Sequence, residues 1–217
     1  HRPSDIRQGS ARYPVYLAER NATGALLAYY RTAVAGSFEK TLAAVKQFAR
    51  RDAERFRLRD SLRAQALAPQ VRKYPSAYIE AGVIHFPLWR QLRRRLPPSQ
   101  RVRISFAADS ALKTVGRKGH LYGPGDQLTL LNVFHARSAM PAQKTLLAAR
   151  ALIYAKLIGK DEVTDDLDAL PHLHDELSWI QMTGRLSLAD CRHLFPLVRT
   201  AGTPQAHQIV GDYLSAS

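Results

Sequence analysis

The chain has 217 residues, of which 46% are hydrophobic, with one cysteine and a formal net charge of +14 at pH 7. This apolar content is typical of a globular protein with its own core and excludes a chain that is disordered throughout. The single cysteine excludes an intramolecular disulfide framework, and no apolar run approaches the ~20 residues of a membrane-spanning helix.

The charge is unevenly distributed along the chain. Residues 1–160 carry 29 Lys and Arg but nine Asp and Glu, whereas residues 161–217 carry three against nine. A strong basic excess is the electrostatic footprint of a nucleic-acid-binding protein, and a reversal of sign indicates a second surface with another partner. We therefore divide the sequence into an extended basic arm (1–21), a basic helical body (22–160) and acidic C-terminal helical hairpins (161–217).

Hydrophobic periodicity predicts a mainly α fold, made of a helical bundle or hairpins. After a first helix over about 22–34, the clearest helix covers residues 37–68, which contain neither Gly nor Pro. Apolar residues recur there at spacings of three and four and form one stripe, Phe38, Leu42, Val45, Ala49, Ala53 and Phe56. Arginines that lie largely off this stripe give the helix a basic face; they are Arg50, Arg51, Arg55, Arg59 and Arg63.

The middle of the chain predicts a small central two-stranded β element. Residues 101–106 alternate between polar and apolar side chains, which is the pattern of a half-buried strand. The apolar stretch 127–134 is its candidate partner strand. A glycine-rich basic loop, 116–126, lies between the two, after a short helix near 110–115.

A second group of basic residues surrounds this element and is interleaved with Trp89. Guanidinium groups fork onto phosphates and stack on bases, and glycines let a backbone approach a phosphate closely. The loop has neither the Gly-Lys-Ser/Thr ending nor the Gly spacing of a nucleotide-binding loop. We interpret the group as nucleic-acid-binding, the alternative being a solvated charged surface: Arg90, Arg93, Arg94, Arg95, Arg101, Arg103, Lys113, Arg117, Lys118 and His120.

The end of the chain predicts helices over about 141–158, 171–183, 187–201 and 204–215. Residues 171–204 contain a Gly-Arg turn, a small residue, a Leu-Phe pair and a closing Gly and Pro, namely Gly184-Arg185, Ala189, Leu194-Phe195, Gly202 and Pro204. In these features the segment resembles a single pentatricopeptide-type helical hairpin. The resemblance implies a helical hairpin of the sort common in organellar RNA proteins, and its acidic charge favours docking on neighbouring proteins.

Two catalytic or metal-binding alternatives depend on residues whose mutual geometry the sequence does not fix. A zinc site would use His172, His174, Asp175, Cys191 and His193, but residues two apart on a helix point to different sides. We therefore expect no metal and no cofactor. A nuclease would need carboxylates or histidines to move protons, and the basic body offers Asp109, His120, Asp126 and His135.

Together these features predict an RNA-binding structural subunit of a large ribonucleoprotein rather than an enzyme. Our most concrete expectation is a mitochondrial ribosomal protein in the matrix, a cytoplasmic location being the alternative. Its basic body would bind RNA, which in that setting is rRNA, and its acidic hairpins would bind neighbouring proteins. Two other functions remain open: a bacterial nucleic-acid-processing or effector protein, including a nuclease, and a protein-only assembly scaffold with a basic face.

Overall fold

A computed structural model describes residues 6–117, 120–135, 140–159 and 170–216. All regular secondary structure in these ranges is helical. The helices are α1 (Tyr13–Ala35), α2 (Phe38–Val71), α3 (Phe86–Arg95), α4 (Ala107–Thr114), α5 (Pro124–Phe134), α6 (Pro141–Leu157), α7 (Pro171–Arg185), α8 (Leu188–Val198) and α9 (Thr203–Ser215). None of the helices so described is long and apolar enough to cross a membrane.

Helices α1 and α2 form a hairpin closed by a short turn at Gly36 and Ser37. The Ser37 side chain accepts a hydrogen bond from the backbone N–H of Lys40, which caps the start of α2. A Cβ atom at Gly36 would lie 2.7 Å from the carbonyl oxygen of Thr32, so this turn requires glycine. Residues 13–21, which we expected in an extended arm, instead form the beginning of α1.

The main core is shared between the basic and the acidic parts of the chain. Helix α6 lies at its centre, with Ala148, Ile153 and Leu157 fully buried. It contacts α2, α5, α7, α8 and α9. Cys191, Leu194 and Val198 of α8 are also fully buried in this core. The charge division near residue 160 therefore does not coincide with a division of the hydrophobic core.

Two smaller clusters hold the middle of the chain against the second half of α2. Ala64 and Ala68 of α2 pack on Leu88 and Leu92 of α3. Nearer the start of α2, Ala53 and Phe56 pack on Val133 of α5. Helix α3 thus packs chiefly on α2, and Phe86 at its start also contacts Phe134 of α5.

The predicted two-stranded β element is wrong. Residues 101–105 are irregular and pair with no strand in the described part of the chain. Residues 127–134 lie inside α5, where the buried positions Leu128, Thr129, Asn132 and Val133 have helical spacing. An apolar run of this length fits a buried helix as well as a strand, and its flanking residues decide between the two.

The residues at the start of α5 explain why residues 127–134 form a helix and not a strand. Pro124 occupies the first turn, where its missing N–H is not needed and its fixed φ suits a helix. The Asp126 carboxylate accepts a hydrogen bond from the backbone N–H of Gly123 at 3.2 Å. Pro and an acidic residue at these positions are helix start signals, so the Gly-rich stretch ends in a helix N-terminus.

Candidate functional site

A cleft of about 730 Å³ lies between three parts of the chain: residues 74–83, helix α3 and residues 99–109. Aromatic side chains supply much of its wall. Tyr74 and Tyr78 are strongly exposed there, and Phe86, Trp89 and Phe106 contribute further ring surface. The rest of the lining is mixed and includes both apolar and charged side chains. A concave surface of this size is a usual setting for a ligand-binding site.

Arg101 and Arg103 line this cleft and are exposed. Val102 between them is half-buried, and its carbonyl oxygen accepts a hydrogen bond from Trp89 Nε1 at 3.5 Å. Within the described ranges neither guanidinium forms a hydrogen bond or an ion pair. The alternation of residues 101–103 therefore does not form a strand. It leaves Val102 half-buried and both arginine side chains exposed at the cleft.

The arginines of α2 are engaged mostly within the chain itself. Arg55 contacts the buried Asp52 at 2.6 Å, Arg59 contacts Glu19 at 3.2 Å, and Arg51 contacts Glu54 at 3.2 Å. Arg50 donates a hydrogen bond to the side chain of Gln47. Arg63 is exposed and has no ion pair among the described residues. These contacts brace helices, and none of the five arginines lines the cleft.

The arginines of α3 divide between stacking and bracing roles. Arg93 lies over the ring of Trp89 at 5.7 Å and Arg90 over the ring of Phe134 at 5.4 Å, which are cation–π distances. Arg95 donates to the backbone and side chain of Gln91. Arg94 is exposed. Trp89 lines the cleft, whereas Arg93, which covers one face of its ring, does not.

The remaining lysine and arginine candidates lie away from the cleft lining or outside the described residues. Lys113 and Arg117 are exposed near the end of α4, and Lys118 lies outside the described ranges. Gly116 has φ +70°, a conformation that L side chains rarely adopt. Its glycine therefore serves the turn that ends α4.

Two aspartate–histidine pairs meet at the cleft. His120 Nδ1 lies 3.0 Å from Asp109 Oδ1, and its ring packs on Phe106 with centroids 3.9 Å apart. His85 Nδ1 lies 2.7 Å from Oδ1 of Asp60, whose side chain is fully buried. Both histidines line the cleft. A carboxylate on Nδ1 fixes the tautomer and orientation of an imidazole and leaves Nε2 as the outward-facing nitrogen.

The Asp60–His85 pair was missed by sequence reasoning, although a signal for it exists. Asp60 continues the buried stripe of α2 between Phe56 and Ala64, a position where a carboxylate needs a partner. Its other oxygen accepts a hydrogen bond from the backbone N–H of Leu88 at 3.2 Å, in the first turn of α3. An acidic residue on an otherwise apolar stripe predicts a buried hydrogen-bonding role, but the sequence does not name the partner.

Three of the four nuclease candidates share this cleft. Asp109, His120 and Asp126 line it, whereas His135 at the end of α5 does not. Burial raises the pKa of Asp126, a shift opposed by the hydrogen bond from Gly123. Glu176 also lines the cleft, and burial raises its pKa although the Tyr154 hydroxyl donates to its Oε1 at 3.1 Å. Buried carboxylates with perturbed pKa values are frequent at functional sites.

Two buried polar atoms at this site have no hydrogen-bond partner among the described residues, Tyr122 Oη and Gln100 Oε1. Gln100 lines the cleft, and the Tyr122 ring lies 5.8 Å from that of His120. Burial raises the pKa of Tyr122 to about 12, and the charges of Asp109 and Asp126 act in the same direction. An unpaired buried polar atom is costly, so these atoms mark places where water or a ligand group would be stabilised.

The residues considered for a zinc site have other contacts. Asp175 accepts a hydrogen bond from Trp179 Nε1 at 2.7 Å, and the His193 ring stacks on Tyr213. Cys191 is fully buried in the main core. Nowhere in the described ranges do three or more His, Cys, Asp or Glu side chains come together in a way that could hold a metal ion.

The burial of Cys191 predicts a slow thiol reaction. Burial raises the pKa of the Cys191 thiol to about 12, and the thiolate is the reactive form. The native protein should therefore react with an aromatic disulfide reagent only slowly at pH 8, and fully once unfolded in urea. Rapid stoichiometric labelling of the native protein would contradict this placement.

Comparison with known proteins finds no matching protein family and no matching solved structure. An uncharacterized protein of Archaeoglobus fulgidus is 30% identical over 178 residues. The aligned region covers 82% of this chain and 60% of that relative, so the chain spans well under two thirds of the relative's length.

Proposed function

We propose that this chain binds single-stranded RNA in the cleft between residues 74–83, α3 and residues 99–109. The observation that carries the proposal is the position of Arg101 and Arg103. Both are exposed cations on the wall of a cleft that also carries two exposed tyrosine rings, Tyr74 and Tyr78, and neither arginine has an ion pair in the described part of the chain. Phosphate groups would supply the missing partners, and bases would stack on the rings.

The aromatic lining favours a single strand over a duplex. Base stacking on an aromatic side chain contributes about 1–3 kcal/mol per base, and it requires bases that are not already stacked in a helix. Tyr78 is 89% exposed and Tyr74 is 59% exposed, so both rings are accessible without rearrangement. Trp89 adds a third ring, with Arg93 over its face.

The charge distribution supports the same partner at longer range. The formal net charge of +14 attracts a polyanion before any contact forms. The acidic C-terminal part of the chain, residues 161–217 with three basic and nine acidic side chains, would then be left to bind protein, which fits a subunit of a ribonucleoprotein particle. Membership of a mitochondrial ribosome, and the matrix location that goes with it, stay predictions that no observation here tests.

Binding measured across a salt series tests the proposal. Labelled single-stranded RNA of about ten nucleotides, duplex RNA and single-stranded DNA would be titrated with the full chain. We expect the single strands to bind more tightly than the duplex, with affinity falling steeply as salt rises because phosphate contacts release counterions. Absence of RNA binding at low salt would contradict the proposal and favour the protein-only scaffold. Equal binding of duplex and single strand would contradict the stacking role of the cleft.

A further inference from the structure

We infer that this cleft also cleaves the RNA strand that it holds, with His85 and His120 as the two proton-transfer groups. The inference rests on the proposed RNA binding and adds a reaction to it. Two imidazoles line one cleft, and each has its Nδ1 engaged by a carboxylate. The His120 ring packs on Phe106, and Phe106 packs on Phe86, which follows His85 directly, so the two imidazoles lie on neighbouring parts of the wall. Two imidazoles so placed can serve as general base and general acid in one displacement at phosphorus.

His120 presents its ring to the cleft. Its side chain is 37% exposed, its ring packs on Phe106, and Asp109 holds Nδ1. No hydrogen bond to Nε2 occurs among the described residues. That nitrogen is therefore available to a substrate group, while the stack on Phe106 restricts rotation of the ring.

His85 is more enclosed, and its orientation is fixed from three sides. Asp60 binds Nδ1, the ring of Phe56 packs edge-on at 5.0 Å, and the third neighbour is Gly82. A Cβ atom at Gly82 would stand 3.5 Å from Cδ2 and 4.0 Å from Nε2 of the imidazole. Because Gly82 has no side chain, the Nε2 edge of His85 is left uncovered by this residue, which itself lines the cleft.

The reaction that fits these groups uses the substrate's own 2′-hydroxyl as nucleophile. One histidine, neutral, takes the proton from the 2′-hydroxyl as its oxygen forms a bond to the adjacent phosphorus. The bond from phosphorus to the 5′-oxygen breaks, and the other histidine, protonated, donates its proton to that leaving oxygen. The products are a 2′,3′-cyclic phosphate and a free 5′-hydroxyl, and no further reactant is needed. Arg101 and Arg103 would neutralise the phosphate while its charge develops.

Asp60 and Asp109 are positioning residues in this reaction. Each accepts from Nδ1–H, which keeps the lone pair or the transferable proton on Nε2 and stabilises the imidazolium when it forms. The buried Asp60 is itself held by the backbone N–H of Leu88. Asp109→Asn should accordingly lower kcat while KM for RNA changes little, whereas loss of a binding contact would raise KM.

The test uses a strand with a single ribonucleotide in an otherwise 2′-O-methylated sequence, incubated with the full chain in the presence of EDTA. We expect cleavage only after the ribonucleotide, with a cyclic phosphate on one product and a 5′-hydroxyl on the other. His120→Gln and His85→Gln should each slow cleavage by about 100-fold or more, in the range of general acid–base catalysis. His193→Gln, on an exposed position of α8, is the matched control and should cleave at the normal rate.

Binding to the fully 2′-O-methylated strand separates the two proposals. Binding without cleavage overturns the catalytic inference and leaves the proposed function standing, whereas loss of both overturns both. Cleavage of an all-DNA strand, inhibition by EDTA, or equal cleavage by His120→Gln would also overturn the inference. Since His120 is partly exposed, its variant should fold even where His85→Gln does not, and circular dichroism would confirm this.

Discussion

Replacing both Arg101 and Arg103 by alanine should weaken binding of single-stranded RNA by about 25-fold at 0.1 M salt. Each phosphate contact on a single strand contributes ~0.7 to the slope of log affinity against log salt, so two contacts contribute ~1.4. The measurement is a fluorescence anisotropy titration at four or more salt concentrations. The variant's slope should be shallower by that amount, and its affinity should approach that of the native protein at high salt.

A control variant with the same charge change separates local contact from general attraction. Arg31 on α1 and Lys40 on α2 are exposed, and neither lines the cleft. Arg31→Ala combined with Lys40→Ala should leave the slope almost unchanged. Equal effects of the two double variants would show that only the net charge matters, which would contradict the assignment of the cleft as the binding site.

The longest helix was predictable because one stretch carried all the local signals in agreement. Residues 37–68 have a start residue, an apolar stripe with helical spacing, and no interior Gly or Pro. In the structure the helix runs over Phe38–Val71 and continues past Pro69, which lies inside it. The predicted end at residue 68 is therefore three residues short of the observed end at Val71.

The prediction of a β element was wrong because a short apolar run does not distinguish a strand from a buried helix. The run 127–134 has no solvent-facing polar stripe, because Thr129 and Asn132 lie on the buried face of the helix, so the choice depended on the residues before the run. Pro124 and Asp126 were assigned to a loop, whereas they begin α5. Without a partner, the alternating stretch 101–106 could not form a strand either, since a strand exists only in a paired sheet.

Those residues of the candidate site whose role depends only on an exposed side chain could be predicted from the sequence. Arg101 and Arg103 follow from an alternating pattern that leaves both cations at the surface. The α2 arginines look equivalent in the sequence, but carboxylates from other turns and from α1 neutralise several of them. Such pairs depend on which helix faces are in contact, and that information is tertiary. The same limit hides His85, which lies 25 residues from its partner Asp60.

Asp60 joins the fold to the candidate site, because a single buried carboxylate serves both. It fixes the first turn of α3 through Leu88 and orients His85 at the wall of the cleft. Helix α3, which forms one wall of the cleft, packs chiefly on α2. Stability and site geometry should therefore change together when this side chain is altered.

Asp60→Ala should lower the free energy of unfolding by about 3 kcal/mol, since removing one partner of a buried pair costs roughly 3–5 kcal/mol and each orphaned donor about 1–3 kcal/mol. The donors left unpaired are His85 Nδ1–H and the backbone N–H of Leu88. Urea denaturation followed by circular dichroism measures the change. Asp60→Asn retains one acceptor oxygen and should lose about half as much stability.

Asp212→Ala is the matched control, because Asp212 is exposed on α9 and its removal should change stability by less than about 0.5 kcal/mol. An equally small effect of Asp60→Ala would mean that this carboxylate is not held between α2 and α3. His85 would then lack its orienting partner, and both the support of α3 and the catalytic role of His85 would have to be abandoned. If Asp60→Ala lowers the free energy of unfolding strongly and Asp60→Asn lowers it less, the Asp60 carboxylate stabilises the packing of the cleft wall on the buried face of α2.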